Sequence, residues 1–117
     1  MDIRRIEPRE WNSRAVVYEN LVFLSGIVAD DKSVPVKEQT AQVLGKIDEF
    51  LAEAGTDKTR ILSSTVYMAD LTQKDQMNEV WWEYFGDHRP GTATIEITRL
   101  AAHPNLKVEL SAIVAVD

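Results

Sequence analysis

The chain has 117 residues, a net charge of -6 and no cysteine. That length fits one domain over residues 1–117, with enough chain to bury a core and too little for two. Hydrophobic residues at 44% and charged residues at 27% match an ordinary soluble globular protein, the missing cysteines exclude disulfides, thiolate nucleophiles and Cys-ligated metals, and the acidic balance without a Lys/Arg run disfavours a nucleic-acid backbone as partner.

The first residues, "MDIRRIEPREW", carry charge but no apolar segment, and no later window approaches a membrane-spanning length, so the reading predicts a cytoplasmic protein without a membrane partner. Two short apolar runs follow, Ala15 to Tyr18 and Leu21 to Leu24, separated by Glu19-Asn20. Asn tolerates positive φ at such a connection, which predicts a tight hairpin. Arg14, at the entry to the hairpin, is within reach of a cleft, but an exposed surface arginine is the preferred reading. From Val36 to Ala54 the apolar positions Val36, Val43, Leu44, Ile47, Phe50, Leu51 and Ala54 recur at spacings of three and four, and Gly55 follows as a left-handed cap. That is the pattern of an amphipathic helix.

"RILSSTVYMADL" has the composition of a strand, and Asp70 begins a turn before a second helical pattern carrying Met77, Val80, Trp81, Tyr84 and Phe85. Trp81 and Trp82 are consecutive, so both cannot face the core, and one of them is assigned to an interface or a cleft. The turn "GDHRP" closes this helix, since Pro90 cannot continue it. A strand is predicted over "RPGTATIEITRLA", Arg89 to Ala101, with Thr92, Thr94, Glu96 and Thr98 alternating against Ala93, Ile95 and Ile97. After "AAHPN" comes a last strand in which Val108, Leu110, Ala112, Val114 and Val116 share one face.

The predicted order is ββαβαββ, an α+β fold with both helices packed on a single face of one sheet. The other face is then expected to carry Lys107, Glu109, Ser111 and the Thr92/Thr94/Glu96 row, together with Ile113 and Ala115. Such a mixture of small hydroxyls, isolated carboxylates and aliphatics is too apolar for solvent and points to burial against another subunit. The two histidines, His88 and His103, have no ligand-type neighbours at metal-binding spacing, so no metal is expected.

"VFLSG" at Val22 to Gly26, "LAEAGTDKTRIL", "TVYMADL", "MNEVWWEYF" and "RPGTATIEITRL...KVELSAIVAV" together resemble the RidA/YjgF family of small reactive-intermediate deaminase proteins, over about residues 14–116. The resemblance implies a chorismate-mutase-like fold and a homotrimer whose sheets line a central barrel, with small-metabolite clefts at the subunit interfaces. It implies a chemistry as well: hydrolysis of 2-imino or 2-enamino acids to 2-keto acids and ammonia, with no metal or cofactor.

Residue by residue, the resemblance assigns Glu109 to the carboxylate that positions the hydrolytic water. Ser25 and Gly26 correspond to the Ser-Gly pair that brings backbone close to the ligand, Thr94 to a position whose N–H contacts the substrate carboxylate, and Asn78 to an asparagine near the cleft. The tyrosine of the hairpin region has no clear equivalent among Trp11, Asn12 and Ser13. Thr92 stands where active members carry the arginine that holds the substrate carboxylate. A hydroxyl gives one neutral hydrogen bond where a guanidinium gives a charged pair. The sequence therefore points either to a hydrolytic deaminase or related hydrolase of altered specificity, or to a trimer that binds a metabolite without turnover. Ribonuclease activity finds neither a basic groove nor a histidine pair.

Overall fold

The computed structural model describes residues 2–117. Its strands are β1 (Ile3–Pro8), β2 (Ser13–Tyr18), β3 (Leu21–Val28), β4 (Ile61–Met68), β5 (Gly91–Glu96) and β6 (Val108–Ala115), and its helices are α1 (Val36–Ala54) and α2 (Lys74–Phe85). Short 3-10 turns at Lys58–Arg60 and Leu71–Gln73 lead into β4 and α2. The six strands form one sheet in the order β1-β2-β3-β6-β4-β5, antiparallel throughout except for the parallel pair β4–β5. Two helices on one face of a mixed sheet realise the α+β architecture.

The core follows from the apolar periodicities. On α1, Val36, Val43, Leu44, Ile47, Phe50, Leu51 and Ala54 are buried, meeting Val22, Leu24 and Ile27 of β3 and Leu110, Ala112 and Val114 of β6 within one cluster. Fully buried side chains such as Ile47 and Leu51 contribute roughly 1.5–3 kcal/mol each relative to exposure. Gly55 ends α1 at φ 89°, a left-handed conformation that suits a residue without Cβ. On α2, Met77, Trp81 and Phe85 are buried while Trp82 is exposed, so the tryptophan pair divides between core and surface.

Three features depart from the sequence reading. The first is an additional strand: β1 pairs antiparallel with β2, with Ile6 opposite Ala15. Only Ile3 and Ile6 are apolar in "IRRIEP", and just Ile6 is buried, so an edge strand with one core residue leaves little periodic signal. The second is the length of the strand beginning at Gly91, which ends at Glu96. The chain then leaves the sheet and inserts Leu100 and Leu106 into the core.

The third concerns the Thr row. Ser64, Val66 and Met68 are buried on the helix side of β4, and they lie in register with Thr92, Thr94 and Glu96 of β5. Residues side by side in a sheet share a face, so the Thr row lies on the helix side and not with Glu109. Polar residues occur there because β5 is an edge strand, where the Thr92 hydroxyl and the Glu96 carboxylate find local partners. Thr92 Oγ1 lies 2.9 Å from Ser64 Oγ, and Glu96 accepts from the Leu71 N–H at 3.0 Å.

The open face is more apolar as a result. Ile95 joins Ile3, Tyr18, Phe23 and Ile113 there, each between 37% and 50% exposed. Ser63, Thr65 and Ser111 fill the spaces between them.

Candidate functional site

The site begins at an irregularity in β3. Leu24 pairs with Ala112 and Ile27 with Leu110, so β3 advances three residues where β6 advances two. This is a β-bulge, which re-aims the backbone where it occurs. Ser25 closes it by donating its hydroxyl to the Ser13 carbonyl of β2, and Gly26 is left facing the side chain of Glu109. A Cβ built on Gly26 would lie 2.7 Å from Glu109 Oε2 and 2.8 Å from Cδ. Glycine is needed here for space, because only a residue without a side chain lets the carboxylate lie on the backbone.

Glu109 itself sits in the middle of the sheet, in register with Val28 on one side and Tyr67 on the other. It is half-buried. Burial pushes its carboxyl above the usual carboxylate range, because desolvation disfavours the charged form. No cation pairs with it among the described residues. A carboxylate so placed holds a proton acceptor closer to neutral pH, the property that general-base catalysis requires.

Glu109 and Gly26 open onto a cleft of about 390 Å³, walled by Val28, Ala101 and Ala102 and rimmed by Arg9 and Trp11. Arg14, Asp30 and Lys46 also line it. Lys46 donates to the Val28 carbonyl and to Asp30, both at 2.8 Å. Arg9 donates from Nε to Asn12 at 2.9 Å and lies over the Trp11 ring. Trp11 is 79% exposed at the mouth.

Of the residues assigned from the sequence, Ser25, Gly26 and Glu109 come together, Ser25 as the clamp that shapes the bulge. Thr92, Thr94 and Asn78 do not line this cleft within one chain. Thr92 is separated from Glu109 by two inter-strand spacings, across β4, and three residues of register, on the order of 14 Å. Its hydroxyl is engaged by Ser64 and by the Pro90 carbonyl at 3.1 Å. Asn78 lies on α2 within 3.5 Å of Lys74 Nζ. Neither histidine reaches the cleft; His103 Nδ1 accepts from the Asn105 N–H at 3.0 Å.

Arg14 is not the exposed surface arginine that the sequence reading preferred, and it lines the cleft that the same reading gave as its alternative. Its side chain is only 18% exposed, packed with its guanidinium 5.8 Å from the Phe50 ring centre and Nε 3.3 Å from a Glu7 carboxylate oxygen. An arginine next to a hairpin gives no sign of burial in its local sequence. The enclosure comes from α1, which is distant along the chain, and from the β1 strand that the sequence did not reveal. The Ala101-Ala102 wall was equally silent, since it belongs to the irregular segment after β5.

Comparison with known proteins places this geometry. The sequence profile of the family described as Endoribonuclease L-PSP matches residues 3–116. A RutC family protein from Haemophilus ducreyi is 39% identical over 116 residues, covering 98% of this chain and 97% of its own. Reactive Intermediate Deaminase A of Arabidopsis thaliana is 31% identical over 103 residues, covering 83% of this chain and 55% of its own. The crystal structure of a YjgF family member from Neisseria meningitidis superimposes with a TM-score of 0.94 at 36% identity, covering 100% of this chain and 97% of that one. Profile, sequence and fold agree over nearly the whole length, and the chain belongs to the RidA/YjgF family, described as Endoribonuclease L-PSP.

Proposed function

We propose that the protein hydrolyses small 2-imino or 2-enamino acids to 2-keto acids and ammonia, with Glu109 as the group that activates water. The observation that carries this reading is the Glu109 carboxylate, half-buried, unpaired, raised in pKa by desolvation and set against Gly26 in a cleft of small-molecule size. In the reaction, the water oxygen bonds to C2 of the protonated imine while Glu109 accepts the water proton. The resulting carbinolamine takes that proton on nitrogen. Glu109, again a carboxylate, removes the hydroxyl proton as the C=O bond forms and the C–N bond breaks, and ammonia leaves the 2-keto acid and carries that proton away as ammonium. A relative named as a reactive intermediate deaminase supports the reading.

The apolar open face supports assembly as a homotrimer. Tyr18, Phe23, Ile95 and Ile113 form a surface that a soluble chain covers with another subunit. In that assembly Thr92, Thr94 and Asn78 belong beside the cleft of a neighbouring subunit, where their assigned contacts with substrate become feasible. The nuclease in the family description is not favoured, because the chain is acidic and the cleft holds no histidine.

Binding without turnover is the second reading, and Thr92 favours it. A hydroxyl engaged with Ser64 and Pro90 supplies no cation to a substrate carboxylate. The two readings separate on one assay. With 2-iminobutyrate generated in situ by a dehydratase, the wild-type protein should raise the rate of ammonia release above the spontaneous rate, and Glu109→Gln should return it to that rate. A wild-type rate equal to the spontaneous one establishes the binding reading.

A further inference from the structure

The cleft contains three cations, and two of them make aligned hydrogen bonds to acceptors of this chain. Lys46 is bound by Asp30 and the Val28 carbonyl, and Arg9 by Asn12 and Trp11. Arg14 is different. Its Nε is fully buried and makes no hydrogen bond of good geometry, the 3.3 Å approach to Glu7 giving charge proximity without alignment. The buried Nε stays beside Glu7, so a ligand meets the outer edge of the guanidinium, whose N–H groups match a planar carboxylate.

We infer that Arg14 is the carboxylate anchor of the Glu109 cleft, taking over at a different place in the fold the charge that Thr92 does not provide. This rests on the reading of the Glu109 cleft given above. Three features hold the arginine for that task. The Ser25 hydroxyl ties the β3 bulge to the carbonyl of Ser13, the residue next to Arg14, so that β2 and the Gly26 backbone are fixed to each other. The Phe50 ring supports the guanidinium from α1. Glu7 sits beside Nε and is itself half exposed, so it balances the guanidinium charge while leaving the two terminal nitrogens for a ligand.

The walls define the rest of the ligand. Val28, Ala101 and Ala102 offer no polar side chain, and Trp11 stands at the mouth. The ligand class is therefore a small monocarboxylate with an apolar substituent, its carboxylate on Arg14 and its reacting carbon toward Glu109.

The test is binding of 2-ketobutyrate, measured by calorimetry beside its uncharged amide, 2-ketobutyramide. Wild-type protein should bind the carboxylate more tightly than the amide. Arg14→Met should weaken the carboxylate about ten- to hundredfold, the loss of one charge-assisted contact, and leave the amide unchanged. Arg14→Lys should recover part of the difference. Circular dichroism of each variant verifies the fold, and the Lys variant carries the test if the Met variant is unfolded. Equal carboxylate affinity in wild type and Arg14→Met, or in wild type no preference for carboxylate over amide, overturns the anchor. The anchor fails alone if imine hydrolysis persists with unaltered carboxylate binding in Arg14→Met. The hydrolysis fails alone if the carboxylate needs Arg14 and no imine is turned over.

Discussion

The backbone of Gly26 and the carboxylate of Glu109 occupy each other's space: a Cβ on residue 26 would stand 2.7 Å from Glu109 Oε2. That closeness ties the bulge in β3 to the chemistry of the cleft. Gly26→Ala is expected to displace the carboxylate, which is the flexible end of a side chain and moves at small cost. Stability should change by no more than about 1 kcal/mol, while turnover of 2-iminobutyrate falls at least about tenfold. Denaturant unfolding and the coupled ammonia assay measure the two effects separately.

Glu109 should also leave a trace in the pH dependence of stability. Its folded pKa is raised above its unfolded value by burial, so the folded state binds more protons between the two values. Stability therefore falls as pH rises through that interval. Glu109→Gln removes the penalty. The variant is expected to melt higher than wild type at pH 7 and to lose that advantage below about pH 4, where the unfolded carboxyl is protonated as well. Thermal melts of both proteins from pH 3 to pH 8 check this, and a constant difference across the range contradicts it.

The open sheet face gives a prediction about assembly. Ile113 is 37% exposed in the single chain and lies beside Phe23. Ile113→Asp should dissociate the homotrimer while leaving each subunit folded, because the side chain contributes to no intrachain core. Sedimentation should show the wild-type protein at three times the chain mass and the variant at one. A wild-type monomer removes the interface on which Thr92 and Asn78 depend.

How far the sequence disclosed these features depended on whether local pattern and tertiary environment coincided. The spacing on α1 disclosed its buried face from Val36 to Ala54, because helical periodicity and burial have one cause. Alternation on β6 likewise separated Val108, Leu110, Ala112 and Val114 from Glu109. The same logic misplaced Thr92 and Thr94, since an edge strand exposes both its faces and polarity no longer marks the solvent side. Gly26 and Glu109 were legible through their motifs. The burial of Arg14 was not, because it arises from Phe50 and Glu7, which lie on α1 and on an edge strand with almost no apolar signature.

Gln39 supplies a test of how the cleft wall is held. It is completely buried on α1, donates to the Val34 and Asn105 carbonyls at 2.9 and 3.2 Å, and accepts from the Lys107 N–H at 2.8 Å. These bonds fasten the segment between β5 and β6 that carries Ala101 and Ala102. Gln39→Leu keeps similar volume and strands three backbone groups. A loss of about 2–4 kcal/mol is expected in urea unfolding.

The most direct measurement is a crystal structure of the Glu109→Gln variant soaked with 2-ketobutyrate. The account predicts the product in the cleft, its carboxylate paired with the guanidinium of Arg14 and its keto carbon on the order of 3–4 Å from the side chain at position 109, near enough for a water between them. An empty cleft, or a product whose carboxylate is held at the Thr92 edge with Arg14 still turned to Glu7 alone, would contradict it.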